Sequence, residues 1–151
     1  GTNDLTQMGF AFSREDFDAR SLANQYAQML GQVFTHEMKP LEVEILVAEV
    51  GSSAEHDQLF HIHYDGTLVD EANFTVLGGD AEAIRERLAD AFVAGAPLAD
   101  ALAGAVGALE GPDRRLPEPE LEVAVLERQA PRRSFRRITG DELAALLPPE
   151  E

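Results

Sequence analysis

The strongest periodicity lies in residues 16–34, where Ala19, Leu22, Ala23, Tyr26, Ala27, Leu30, Val33 and Phe34 recur at spacings of three and four. That spacing predicts a helix with one apolar face, Asp16 as its N-cap and Pro40 ending any continuation. Gly9 to Phe12 reads as extended or loop chain leading into it. The period then shortens to two. Leu41, Val43 and Ile45 alternate with Glu42 and Glu44, and Ile45 to Ala48 is apolar on both sides. A strand over residues 41–50 is predicted, entering a two-sided core from its rim. Residues 51–57 read as a polar loop and 59–64 as a second strand. Asp65 and Gly66 then form a turn into a continuation over 67–69. Residues 74–77 read as one more short strand, ending at Gly78 and Gly79.

The second half opens on two helices. Asp80 is placed to cap the first, over residues 80–94, with Ile84, Leu88, Ala91 and Phe92 as its apolar stripe. The second, over 98–109, carries Leu98, Leu102, Ala105, Val106 and Leu109. Its many small residues (Ala99, Ala101, Ala103, Gly104, Ala105, Gly107) suit close approach to a neighbour. A strand over 121–126 and a hairpin partner over 134–138 follow, and Thr139 and Glu142 have capping-box spacing for a last helix reaching Leu147. Pro148 and Pro149 stop that helix, and 148–151 is expected to be a disordered tail. Antiparallel hairpins with grouped helices give an α+β layered fold, not a doubly wound one.

Composition narrows the class. A chain of 151 residues with 44% hydrophobic and 26% charged residues fits a single folded domain over 1–151. There is no cysteine, which excludes disulfides, thiol catalysis and cysteine zinc sites, and fits a reducing cytoplasm. No apolar run approaches the roughly 20 residues of a membrane span, and the polar opening shows no signal-peptide pattern. The expected protein is soluble and cytoplasmic. Net charge is −16, yet Arg128, Arg132, Arg133, Arg136 and Arg137 occupy ten positions free of acid, leaving −21 on the rest. Such a body repels nucleic acid.

Several groups invite a chemical reading. His61 and His63 stand two apart on a strand and so share a face, with His56 and Asp57 close in sequence. No third ligand stands at a fixed spacing, so the pair reads as surface residues and no metal or cofactor is assigned. Glu42 and Glu44 also share a face and read as solvent- or subunit-facing carboxylates rather than an acid–base pair. Gly78 and Gly79 precede a helix without the fuller glycine fingerprint of a phosphate loop, which makes them a tight turn. The arginine stretch around Phe135 has one aromatic where a single-strand nucleic-acid platform needs several, so packing or charge contact between subunits is the better reading.

The order of these segments adds a resemblance. KPLEVEILVAEV from Lys39, YDGT from Tyr64, VLGG from Val76, LEVAVL from Leu121 and PRRSFRRITG from Pro131 follow one another in that order along the chain. SLANQYAQ from Ser21 precedes them. Together they resemble the 20S proteasome α subunit of actinobacterial type, over nearly all of residues 9–147. The resemblance implies an N-terminal-nucleophile hydrolase-type sandwich of antiparallel sheets flanked by helices, incomplete at the N-terminus. The gating tail, first helix, early strands and ATPase-docking pocket would lie outside this chain. It also implies a non-catalytic subunit of the outer heptameric α ring. Other α subunits and β subunits would be its partners, in the compartmentalised degradation of pupylated proteins delivered by a ring ATPase. No catalytic residue is assigned. The alternatives are a hydrolase working from Thr2, since proteasome β subunits expose a threonine after glycine, and a diverged α-like interaction module.

Overall fold

The computed structural model describes residues 18–36, 42–129 and 134–149. The chain divides into two compact units, residues 1–74 and 75–151, each built from helices and antiparallel strands. That is the α+β composition expected from the pattern.

In the first unit, helix α1 (Ala19–His36) lies on a three-stranded antiparallel sheet of β1 (Ile45–Glu49), β2 (Gln58–Ile62) and β3 (Leu68–Asp70), in that order. Asp18 caps the helix: its Oδ1 accepts the Ser21 N–H at 2.6 Å. Asp16 lies outside the described residues, as do Pro40 and residues 9–12. Glu49 of β1 reaches the same end and accepts the Ala19 N–H at 3.3 Å. Two carboxylates thus meet the positive end of the helix dipole. The predicted stripe becomes the core, with Ala19, Ala23 and Leu30 packed on Val47, Phe60 and Ile62. Phe34 departs from it. It is 43% exposed and meets the Tyr64 ring edge-on at 5.7 Å.

The first ladder starts at Ile45, later than the alternation suggested, because Glu42 to Glu44 carry no ladder pairing; Leu41 is outside the described residues. The register places Ile45 opposite Ile62 and Val47 opposite Phe60. The Asp65-Gly66 turn forms as expected: Asp65 Oδ1 accepts the Thr67 N–H at 2.9 Å, and Gly66 adopts φ +88°. A Cβ on Gly66 would lie 2.5 Å from the Ala27 carbonyl oxygen and 2.8 Å from Gly31 Cα. The turn therefore sits directly on the backbone of α1.

In the second unit, α2 (Ala81–Ala91) packs on α3 (Leu98–Glu110), and β4 (Val123–Leu126) pairs antiparallel with β5 (Phe135–Ile138) before α4 (Gly140–Leu146). The small-residue face of α3 does bring a neighbour close, since a Cβ on Gly104 would stand 3.6 Å from Ala91 Cβ. Arg87 of α2 donates from Nε to the Ala108 carbonyl at 2.8 Å, satisfying one of the last acceptors of α3. Leu102, Val106, Ile138 and Leu143 form the core, flanked by Leu121, Val123 and Val125.

Four expectations change here. Residues 74–77 form no strand, although Val76 is buried. Helix α2 buries no residue fully and ends at Ala91, because its stripe covers only one side of a polar helix. Leu98 and Leu109, at the two ends of the α3 stripe, stay partly exposed. Asp80 and Thr139 stand at N-cap positions without a side-chain cap bond, and Glu142 turns instead to Arg136 Nη1. An opposite charge within reach outcompetes the backbone amide for that carboxylate.

Candidate functional site

Alternation along the first sheet sends one set of side chains to α1 and the other set to the opposite face. Phe60 and Ile62 belong to the first set, so His61 and His63 belong to the second, with Leu46 and Val69 as the cross-strand neighbours of His61. The same register, carried one step past the ladder, brings Glu44 opposite His63. Glu71 follows β3 and donates its backbone N–H to the Leu59 carbonyl at 2.8 Å, which keeps its side chain on this face as well.

The result is a compact polar cluster. Glu44 Oε2 lies 3.2 Å from His61 Nε2, and Glu44 Oε1 lies 3.6 Å from His63 Nδ1. The imidazole rings stack with centroids 4.1 Å apart and planes 30° from parallel. Glu71 Oε1 stands 3.9 Å from the other ring nitrogen of His61, Nδ1. His61 is only 5% exposed, whereas the His63 and Glu44 side chains keep about a third of their surface open. One carboxylate thus spans two imidazoles at a partly open rim.

This revises the surface reading of the histidine pair, because His61 is a buried polar residue in a central strand. Its neighbours in sequence do not join it. His56 Nδ1 lies 2.8 Å from Ser53 Oγ, and Asp57 Oδ1 accepts the Gly51 N–H at 2.8 Å, so both serve the 51–57 loop. Glu42 is exposed and apart from Glu44 in role. Glu71 carries no sequence signal of its own; only the β2–β3 pairing brings it near His61.

Elsewhere, Gly78 adopts φ +118° in an exposed turn ahead of α2, consistent with a turn rather than a phosphate cradle. Arg136 is bound within its own unit, its Nε donating to Glu127 Oε1 at 2.8 Å and its Nη1 to Glu142. Those two carboxylates, Glu142 foremost, raise the Arg136 pKa above its usual value. Arg136 thus ties β5 to the segment after β4 and to α4. Arg132, Arg133 and Thr2 lie outside the described residues. No described helix is long and apolar enough to cross a membrane.

Known proteins place the chain. No family model matches it. Its sequence is 55% identical over 139 residues to the proteasome subunit alpha of Acidimicrobium ferrooxidans, covering 92% of this chain and 60% of the relative. Against the proteasome subunit alpha of Saccharopolyspora erythraea the identity is 51% over 147 residues, covering 95% and 57%. Against that of Saccharomonospora viridis it is 45% over 159 residues, covering 100% and 62%. The chain therefore spans about 57–62% of the length of these curated relatives. Identity of this degree along nearly the whole chain, joined to paired helices and antiparallel sheets in the expected order, shows that the chain is similar to about three fifths of the length of proteasome subunits alpha.

Proposed function

We propose that this chain acts as a non-catalytic structural subunit of the outer α ring of a 20S proteasome. The observation that carries this reading is the 55% identity over 92% of the chain to a proteasome subunit alpha. In the ring, seven α-type subunits stack on β subunits that hold the nucleophiles, and the mechanism is compartmentalisation. Folded proteins are kept from the active sites, and unfolded, pupylated substrates are threaded in by a ring ATPase. Both compact units belong, in this proposal, to one α-type domain with the layered sheet arrangement of the family. The exposed side of α1 is the surface offered to the β ring. No residue of this chain takes a catalytic role. The protein works in the cytoplasm.

The test is native mass spectrometry of the chain alone and mixed with an actinobacterial proteasome β subunit. A seven-fold species or a mixed α/β particle is expected. A monomer or small dimer indifferent to β would overturn the ring assignment for this chain. A threonine-directed covalent inhibitor run alongside should leave Thr2 unlabelled; labelling there would replace the scaffold with a hydrolase.

A further inference from the structure

We propose that Glu44, His61 and His63 form a binding site for a divalent transition-metal ion of the zinc class. Sequence spacing alone offers only two histidines on one face. The fold supplies the third donor by bringing Glu44, in the segment entering β1, to 3.2 Å from His61 Nε2 and 3.6 Å from His63 Nδ1. One donor atom from each residue lies within 4.8 Å of the other two. Ligands held at about 2.0–2.1 Å around a tetrahedral ion stand roughly 3.3 Å apart, so the donors close in by at most about 1.5 Å on binding. His63 is the side chain that makes this movement, since it is the more exposed ring and its Nδ1 already stands 3.6 Å from Glu44 Oε1.

The donor set selects the ion. Two imidazoles and one carboxylate suit zinc, and disfavour magnesium and calcium, which take oxygen ligands almost exclusively. Three protein donors leave a fourth position open, and the exposed side of Glu44 and His63 gives it access to solvent. His61 is held by burial, and Glu71 stands 3.9 Å from its Nδ1, on the side away from Glu44. A carboxylate there favours the tautomer with its proton on Nδ1, which frees Nε2 as a ligand. Glu71 is thus a positioning residue. The ion would tie β2 to the segment entering β1 across the end of their ladder, and binding to the folded chain alone would stabilise it.

The test uses the full chain, with Zn2+ titrated calorimetrically and Co2+ followed by visible absorption. One Zn2+ per chain and a cobalt spectrum of low coordination number are expected, together with a rise in melting temperature. His63→Ala and Glu44→Gln should each weaken Zn2+ at least tenfold. Glu71→Gln should weaken it less and shift the His61 tautomer seen by ring-nitrogen NMR. His56→Ala should change nothing. Absence of a saturable one-to-one event, or unaltered affinity in both His63→Ala and Glu44→Gln, would overturn the site. Circular dichroism checks that each variant folds. If either does not, NMR of the unaltered chain decides: Zn2+ must move the His61 and His63 resonances together, and movement at His36 or His56 instead would overturn the proposal.

Discussion

The two units use similar ingredients in different proportions. In the first, one long helix covers one face of three strands, and Leu30, Phe60 and Ile62 lose all contact with water. In the second, a two-stranded hairpin has too little face to be stable by itself, so α3 and α4 supply the apolar partners of Ile138. Helix α2 contributes no fully buried side chain to that unit, and is held by the close Ala91–Gly104 approach and the Arg87 bond to Ala108. Among the described residues, three of the four largest fully buried side chains, Leu30, Phe60 and Ile62, belong to the first unit, and the fourth, Ile138, to the second.

That contrast can be broken at its centre. Phe60→Ala should cost about 3–5 kcal/mol, measured by denaturant unfolding and by hydrogen exchange at β2 amides. The cost includes the cation–π contact from Arg20, whose guanidinium carbon lies 5.0 Å from the ring centroid. Leu143→Ala, read at β5 amides, should cost nearer 2–3 kcal/mol, because smaller and partly buried neighbours can close around the gap. Equal losses would refute the idea that burial is more concentrated in the first unit.

A smaller effect sharpens the picture on the first unit alone. Gly66→Ala forces a Cβ into the α1 backbone at a positive φ and should destabilise by about 2–3 kcal/mol. Gly31→Ala, on the other side of the same contact, places its Cβ 3.6 Å from the Asp65 carbonyl oxygen, an ordinary distance. It should be neutral or stabilising by up to about 1 kcal/mol through helix propensity. Destabilisation by both would mean that the contact has no slack on either side.

The smallest effect is a pH dependence. The Thr67 amide bonded to Asp65 holds its carboxyl below the ordinary value of 3.8. A depressed carboxyl stabilises the fold above its unfolded pKa, and that contribution disappears as pH falls through the folded one. Stability should therefore soften at pH below about 4, and Asp65→Asn should flatten that part of the profile. An unchanged acid limb in the variant would show that Asp65 does not contribute to it.

Much of the fold was legible because period and capping chemistry act locally. The α1 stripe, the β1–β2 core residues, the 65–66 turn and the small face of α3 all follow from neighbours within one or two turns of chain. What escaped depends on distance in sequence. Glu49 reaches the amide of Ala19 at the start of α1 from thirty residues on, which no local pattern announces. Glu142 leaves its expected capping role for an arginine on β5. The polar cluster was half visible: two histidines on one face could be read, but Glu44 and Glu71 reach them only through strand pairing. The likeness to proteasome subunits alpha was legible from the order of short motifs along the chain.

The seat of Gly66 on the α1 backbone also bears on the order of folding. The β2–β3 turn closes over a few residues and forms early at little entropic cost, while the helix can be seated only by closing a loop of roughly 35 residues. Because the turn leaves no room for a side chain at Gly66, its contact with Ala27 and Gly31 sets the register in which α1 lies on the sheet.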